Sequence, residues 1–120
     1  MTDSYPKPPA HAAPYVDILG SALAVRFLMA FGGAELYWAE NPGERSRVVQ
    51  IVGVDLASAL ARADLPPRVP LAKPWLAACL AHEGLSVAEI ARTLHASDVA
   101  VRGWLRKNPY RPSPAMWGDA

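Results

Sequence analysis

Residues Leu85 to Lys107 read LSVAEIARTLHASDVAVRGWLRK, and the rest of the chain is interpreted from this stretch. Ser86 followed three positions later by Glu89 has the pattern of a capping box, in which each side chain satisfies a backbone N–H group at the start of a helix. Apolar residues then recur at helical spacing, at Val87, Ile90, Ala91 and Leu94. We therefore predict an amphipathic helix that begins after Ser86.

A second helix is predicted directly after the first. Ser97 is a suitable N-cap residue, and only His95 and Ala96 separate it from the last apolar residue of the first helix. Two helices joined so closely must turn sharply, as they do in a helix-turn-helix. The second helix divides into an inward face of Val101, Trp104 and Leu105 and an outward face of Asp98, Arg102 and Arg106.

A generic corner between two helices has some of the same features. Asp98 and Arg102 then form an ordinary solvated pair four residues apart, which contributes about 0.2–0.5 kcal/mol. The capping box, the short turn, the small Ala91 at the helix crossing and the basic outward face occur together, however. This combination favours DNA binding over the generic corner.

Charge is distributed unevenly over the 120 residues, a length that suits one domain or two small ones. The net charge is only +1, but residues 68–112 hold seven basic and three acidic residues, a net charge of +4. Residues 1–67 hold five basic and seven acidic residues, a net charge of −2. The basic half is the half that contains the predicted helix-turn-helix.

Cysteine usage and hydropathy indicate a cytoplasmic protein. Cys79 is the only cysteine and lies among apolar residues, as a small core residue does. The first residues lack the pattern of a signal peptide. The longest apolar run, residues 18–34, is interrupted by Arg26, so we expect no membrane span.

The pattern along the chain predicts a mainly α fold with one or two short β-strands. Four segments are expected: a disordered arm (1–14), an N-terminal helical dimerisation domain (15–72), a three-helix helix-turn-helix unit (73–107) and a Pro-rich tail (108–120). Within the second segment we predict a helix from Tyr15 to Phe31, ended by Gly32 in a left-handed cap. A short strand at 35–38, a helix from Arg47 to Ala63 and an extended piece at 68–71 follow.

The two halves of the second segment resemble each other. Residues 17–24 align with residues 50–57 at an offset of 33, with identical Ile, Gly, Leu and Ala, and the same offset relates Ala30 to Ala63 and Ala39 to Ala72. Each half is then a helix followed by an extended segment. Gly20 and Gly53 are equivalent positions, where we expect another backbone to come close.

Several of these elements resemble the Mor transcription activators of bacteriophages and prophages. The resemblance rests on the first helix ending in FGGAELY (residues 31–37), the similar second helix, and GLSVAEIAR (residues 84–92) opening the helix-turn-helix. The family implies a dimer assembled from N-terminal helices and strands, with DNA-binding units that activate phage promoters by contacting RNA polymerase. Trp38-Ala39 replaces the family's usual Val-Pro, Pro66-Pro67 its second Gly-Gly, His95 its turn glycine, and Ser97-Asp98-Val99 its Ser-Glu-Arg.

The predicted site is therefore the second helix of the motif in the major groove of double-stranded DNA. Arg102 is the main candidate for base reading, because a guanidinium binds guanine O6 and N7 with two hydrogen bonds. Gly103 costs about 1 kcal/mol inside a helix, and its missing side chain lets the helix approach DNA closely. The other predicted base-reading residues are Ser97, Asp98 and Val99. The predicted phosphate contacts are Arg92, Arg106, Lys107 and Arg111.

A homodimer on an inverted repeat is the second hypothesis. The first helix is apolar on several faces, and an isolated strand needs a partner, which a two-fold axis supplies from a second copy. The predicted interface residues are Phe27, Phe31, Leu36, Tyr37 and Trp38. The alternative function is a phage-derived protein-interaction or DNA-packaging adaptor that uses the motif for assembly. We expect no enzyme, cofactor or metal, because His11, His82 and His95 lack ligand spacing with Cys79 and no nucleophile has a base nearby.

Overall fold

The computed structural model describes residues 5–38, 43 and 46–107. This part of the chain forms seven α-helices and so confirms the mainly α fold class. The helices are α1 (Ala13–Leu19), α2 (Ser21–Phe31), α3 (Arg47–Val52), α4 (Val54–Arg62), α5 (Lys73–His82), α6 (Val87–Leu94) and α7 (Asp98–Lys107). The tail predicted at 108–120 lies outside the described residues.

The helices belong to two compact units. The N-terminal unit comprises residues 8–72 and contains α1 to α4. The helix-turn-helix unit is formed by residues 5–7 together with residues 73–107, and contains α5 to α7. No described helix is both long enough and apolar enough to cross a membrane.

Both long helices predicted for the N-terminal unit are broken at a glycine. Gly20 separates α1 from α2 with φ +81° and ψ 160°, and Gly53 separates α3 from α4 with φ +87° and ψ 164°. This backbone region is open essentially to glycine alone. A Cβ atom built at either position meets nothing within 4 Å, so the expected close approach of another backbone is wrong. The backbone conformation, not the space, requires these glycines.

The extended segments pair inside the chain, through an isolated antiparallel bridge between Glu35 and Arg68. On either side of it, the Leu36 N–H donates to Pro67 O (2.7 Å) and the Val69 N–H donates to Ala34 O (2.9 Å). The predicted strand at 35–38 is thus reduced to a single bridge. The expectation that this segment lacks a partner within its own chain is wrong.

The Gly32-Gly33 pair ends α2 differently from the sequence-based expectation. Gly32 has φ −53°, and Gly33 is the residue with positive φ, at +84°. The Gly33 N–H then donates to Val69 O at 2.8 Å. The left-handed position is therefore the second glycine, where it directs the chain towards the bridge.

Aromatic rings fill the core of the N-terminal unit. Phe27 is fully buried, and its ring centroid lies 5.6 Å from that of Tyr15, 5.0 Å from that of Phe31 and 6.2 Å from that of Trp38. The guanidinium of Arg47 lies 5.6 Å from the centroid of the Phe31 ring. The apolar faces of α2 are thus covered largely by its own chain.

The hydroxyl of Tyr15 is buried and has no hydrogen-bond partner among the described residues. Burial also raises the pKa of this phenol. Because an unsatisfied buried hydroxyl costs about 1–3 kcal/mol, we expect Tyr15→Phe to raise the free energy of unfolding. Urea denaturation measures this as a higher midpoint at unchanged slope. Tyr37→Phe is the matched control, since Tyr37 is 92% exposed and its midpoint should not move; a lower midpoint for Tyr15→Phe would contradict the prediction.

The helix-turn-helix unit is built around α5. This helix is buried on nearly all sides, and α6 and α7 pack against it and against each other. Its buried residues are Trp75, Leu76, Ala77, Ala78, Cys79 and Leu80. Cys79 is a fully buried core residue, as its apolar surroundings in the sequence predicted.

Residues 5–7 are fixed to α5. The indole N–H of Trp75 donates to Pro6 O at 2.9 Å, and the hydroxyl of Tyr5 donates to the Glu83 carboxylate at 2.8 Å. The Tyr5 ring also lies 4.6 Å from the His82 ring, measured between centroids. A buried indole N–H needs an acceptor, and the chain before α1 supplies it. The prediction of a disordered arm is therefore wrong for these residues.

Candidate nucleic-acid interface

The first helix of the motif, α6, begins with the predicted capping box. The Ser86 N–H donates to Glu89 Oε1 at 2.8 Å, and the Glu89 N–H donates to Ser86 Oγ at 3.2 Å. Ile90, Ala91 and Leu94 are buried along the predicted stripe. Both the helix start and the apolar face of α6 are confirmed.

The turn between α6 and α7 is tight because His95 adopts the left-handed conformation, with φ 56° and ψ 50°. The Ala96 N–H donates to Ala91 O at 2.9 Å, which closes the end of α6. Ser97 then caps α7, since its Oγ accepts the Ala100 N–H at 3.0 Å. A side chain other than glycine in this region is mildly strained, as the replacement of a turn glycine implied.

The two faces of α7 differ sharply in exposure. Val101 is fully buried and Leu105 is 6% exposed, while Trp104 is half-buried at the flank. Arg102, Arg106 and Lys107 are exposed, and Val99 is 77% exposed, an unusual position for a large apolar side chain. The predicted inward and outward faces are thus observed, with Trp104 nearer the boundary than expected.

The predicted base-reading residues lie along the exposed side and the start of α7. Asp98, Val99 and Arg102 are exposed and Gly103 is partly exposed. Ser97 is exposed too; its oxygen already accepts the Ala100 N–H, so its O–H and one lone pair remain for a contact outwards. Its first role is therefore to cap α7.

The predicted phosphate contacts fall in two groups. Arg106 and Lys107 lie in the last turn of α7, and Arg92 is exposed on α6. Arg111 lies outside the described residues. No carboxylate of the described chain lies within ion-pair distance of these three side chains or of Arg102, so the generic pairing of Asp98 with Arg102 is not observed. Arg102, Arg106 and Lys107 are therefore not neutralised by an ion pair within the described chain, whereas Arg92 is close enough to Glu89 to lower the pKa of that carboxyl.

Gly103 lies in the interior of α7 without any steric requirement for glycine. A Cβ atom built there meets nothing within 4 Å, and the residue has an ordinary helical conformation. Glycine is nevertheless unfavourable inside a helix. Nothing in the described chain explains its presence, and the close approach of α7 to DNA at this position stays a prediction.

The residues predicted to form a dimer interface are dispersed. Phe27 and Phe31 are buried inside their own unit, 0% and 4% exposed, so they offer no surface to a second copy. Leu36 and Trp38 are half-buried, and the Trp38 indole N–H donates to Pro66 O at 3.1 Å. Only Tyr37 is fully available, at 92% exposure.

Comparison with known proteins gives no relative to set beside this geometry. Neither a protein-family model, nor a curated protein, nor a solved structure matches the chain.

The capping box gives the unit a pH dependence with a defined sign. The hydrogen bond from the Ser86 N–H lowers the pKa of the Glu89 carboxyl, as does the Ser86 hydroxyl. Because the folded pKa lies below the unfolded one, this stabilisation is present above the unfolded pKa and is lost as pH falls through the folded value. We expect the difference in unfolding free energy between the unmodified protein and Glu89→Gln to shrink on acidification. Urea denaturation at several pH values measures it, and a difference independent of pH would contradict the assignment.

Proposed function

We propose that this protein is a sequence-specific DNA-binding transcriptional regulator of the Mor type, which reads the major groove with α7. The observation that carries the proposal is the face of α7 that holds Arg102 and Arg106. It is exposed and unpaired within the described chain, while the opposite face, with Val101 and Leu105, is buried. A capped helix pair with this polarity has the form in which a recognition helix is presented.

Each exposed group suits a different part of a duplex. Arg102 lies one turn after Asp98, in the half of the helix that approaches base edges, where a guanidinium reads guanine. The exposed Val99 side chain suits a thymine methyl group. Arg106, Lys107 and Arg92 contact phosphates, which position the protein without specifying sequence.

The proposed role is activation of a phage or prophage promoter in the cytoplasm, through contact with RNA polymerase. This part rests on the Mor resemblance, chiefly on FGGAELY at residues 31–37. The structure gives that motif a local function, since Gly33 and Leu36 make the bonds that hold the bridge segment. Because these bonds stabilise the fold, the motif would serve an adaptor as well as an activator. Activation therefore needs its own experiment.

The test is selection of binding sites from random duplex DNA by the full chain. We expect an enriched motif that contains a guanine, and binding that weakens steeply as salt rises, because phosphate contacts release counterions. The control is the Arg102→Ala/Arg106→Ala variant, which should enrich nothing. Enrichment of no motif by the unmodified protein would overturn the proposal.

A reporter carrying the selected site upstream of a promoter then separates regulator from adaptor. Increased transcription supports activation. Binding to the site without any change in transcription favours the adaptor or packaging function.

A further inference from the structure

The N-terminal unit contains two halves that share a helix–glycine–helix element. The offset of 33 residues that aligns their sequences also relates their conformations, because Gly20 and Gly53 agree within 6° in φ and 4° in ψ. The Gly20 N–H donates to Val16 O at 2.8 Å, and the equivalent Gly53 N–H donates to Val49 O at 2.7 Å. Helix–glycine–helix is therefore the repeated element.

The bridge that joins the halves has the pattern of a local two-fold axis. Glu35 forms the bridge with Arg68, and Arg68 is the residue equivalent to Glu35 at the offset of 33. The two flanking bonds, from Leu36 to Pro67 and from Val69 to Ala34, change places under the same exchange. An antiparallel pair in which each residue faces its equivalent is the mark of an isologous contact.

Helix packing obeys the same exchange. In addition to α1 on α2 and α3 on α4, α1 packs on α4 and α2 packs on α3. If the two halves are exchanged, the contact between α1 and α4 becomes the contact between α3 and α2. Two halves stacked in tandem would not be related in this way. Three equivalent pairs are also buried alike, namely Leu19 and Val52, Ala24 and Ala57, and Phe27 and Leu60.

We propose that a single chain contains the complete two-fold unit, and that the protein is a monomer that binds one asymmetric DNA site rather than an inverted repeat. The DNA part rests on the proposed function. The edge that a second copy was expected to fill is occupied by residues 67–69 of the same chain. The described residues hold one helix-turn-helix for this two-fold unit, so one chain brings one reading helix.

An engineered disulfide between positions 35 and 68 tests whether the bridge forms within one chain or between two chains. Glu35 and Arg68 form the non-hydrogen-bonded kind of antiparallel pair, since the bonds run between their neighbours, and such Cα atoms lie about 4.5 Å apart. This distance is within the range of a disulfide. Both side chains are about two-thirds exposed, so Glu35→Cys/Arg68→Cys disturbs no core. We expect oxidation to consume both new thiols while the mass remains that of one chain, 12.9 kDa.

Two controls make the result decisive. In a conventional homodimer this segment meets its own copy, so the single variant Glu35→Cys would form a covalent dimer as fast as the double variant closes its internal disulfide, and we expect no such fast dimer. The unmodified protein, whose one cysteine is buried, should stay uncrosslinked. A covalent dimer of either variant that forms at the rate expected for a preformed pair, or two thiols that stay free in the double variant, would overturn the proposal.

The part of the proposal that concerns DNA binding has separate tests. Sedimentation equilibrium at micromolar concentration should give the mass of one chain, and the selected DNA motif should lack two-fold symmetry and bind one chain per duplex. An inverted repeat that binds two chains would overturn the monomer reading. An internal disulfide without binding to any DNA would overturn the proposed function while supporting the internal two-fold unit.

Discussion

Replacement of Arg102 by alanine is expected to remove the preference of the protein for its selected site. A bidentate contact to guanine contributes roughly 1–3 kcal/mol of discrimination, so affinity for the selected site should fall about 5- to 150-fold towards that for unrelated DNA. Arg102 is exposed and has no ion pair with the described chain, so the thermal unfolding curve should hardly change. Fluorescence anisotropy with selected and scrambled duplexes measures both affinities.

Two matched variants distinguish base reading from loss of charge. Arg106→Ala removes the same charge from the next turn of α7, and should weaken binding to both duplexes alike and lower the salt slope by about 1. Arg26→Ala removes an exposed arginine from α2, in the N-terminal unit, and should leave both affinities unchanged. If Arg102→Ala weakens the two duplexes equally, its contact is with phosphate and the base-reading role is lost.

The helix-turn-helix was predictable because its determinants are local. Ser86 and Glu89 are three residues apart, and Ser97 caps the helix that starts at the next residue. Such signals act within one turn and do not depend on the rest of the fold. The division of α7 into a buried and an exposed face follows from the same periodicity. The burial of Trp104 was predicted less well. This residue lies at the edge of the apolar stripe, so the neighbouring helices determine how much of its side chain is exposed.

The helix breaks were missed because hydrophobic periodicity does not report φ. Gly20 and Gly53 fit the apolar pattern on both sides, and a glycine in a helical pattern is usually tolerated. The available signal was their recurrence at the same point of the internal repeat. That recurrence suggested close packing, whereas the structure shows empty space and a positive φ.

The partner of the bridge segment was missed because pairing is a long-range property. The apolar character of α2 indicates that its faces are covered, but it cannot tell coverage by the same chain from coverage by a second copy. Phe27 and Phe31 were assigned to a dimer interface for this reason, and they are core residues. The signal available in the sequence was the offset of 33 residues, since it relates Glu35 to its bridge partner Arg68.

Alanine at Gly20 or Gly53 is expected to destabilise the protein, although the added methyl group meets no atom within 4 Å. The φ and ψ values of both residues lie in a region that costs a non-glycine residue about 1–3 kcal/mol. Because the two glycines are equivalent, each single variant should lower the midpoint of urea denaturation by a similar amount. An unchanged midpoint for both would show that the helix breaks are not formed in solution.

Gly103→Ala is the matched control, and its effect should have the opposite sign. The substitution and the surrounding empty space are the same, but Gly103 has a helical backbone, in which alanine is favoured by about 1 kcal/mol. We therefore expect a higher denaturation midpoint together with weaker binding to the selected DNA, because the methyl group holds α7 away from the duplex. Greater stability with undiminished affinity would show that DNA does not approach this position, and Gly103 would then lack an explanation in binding as well as in folding.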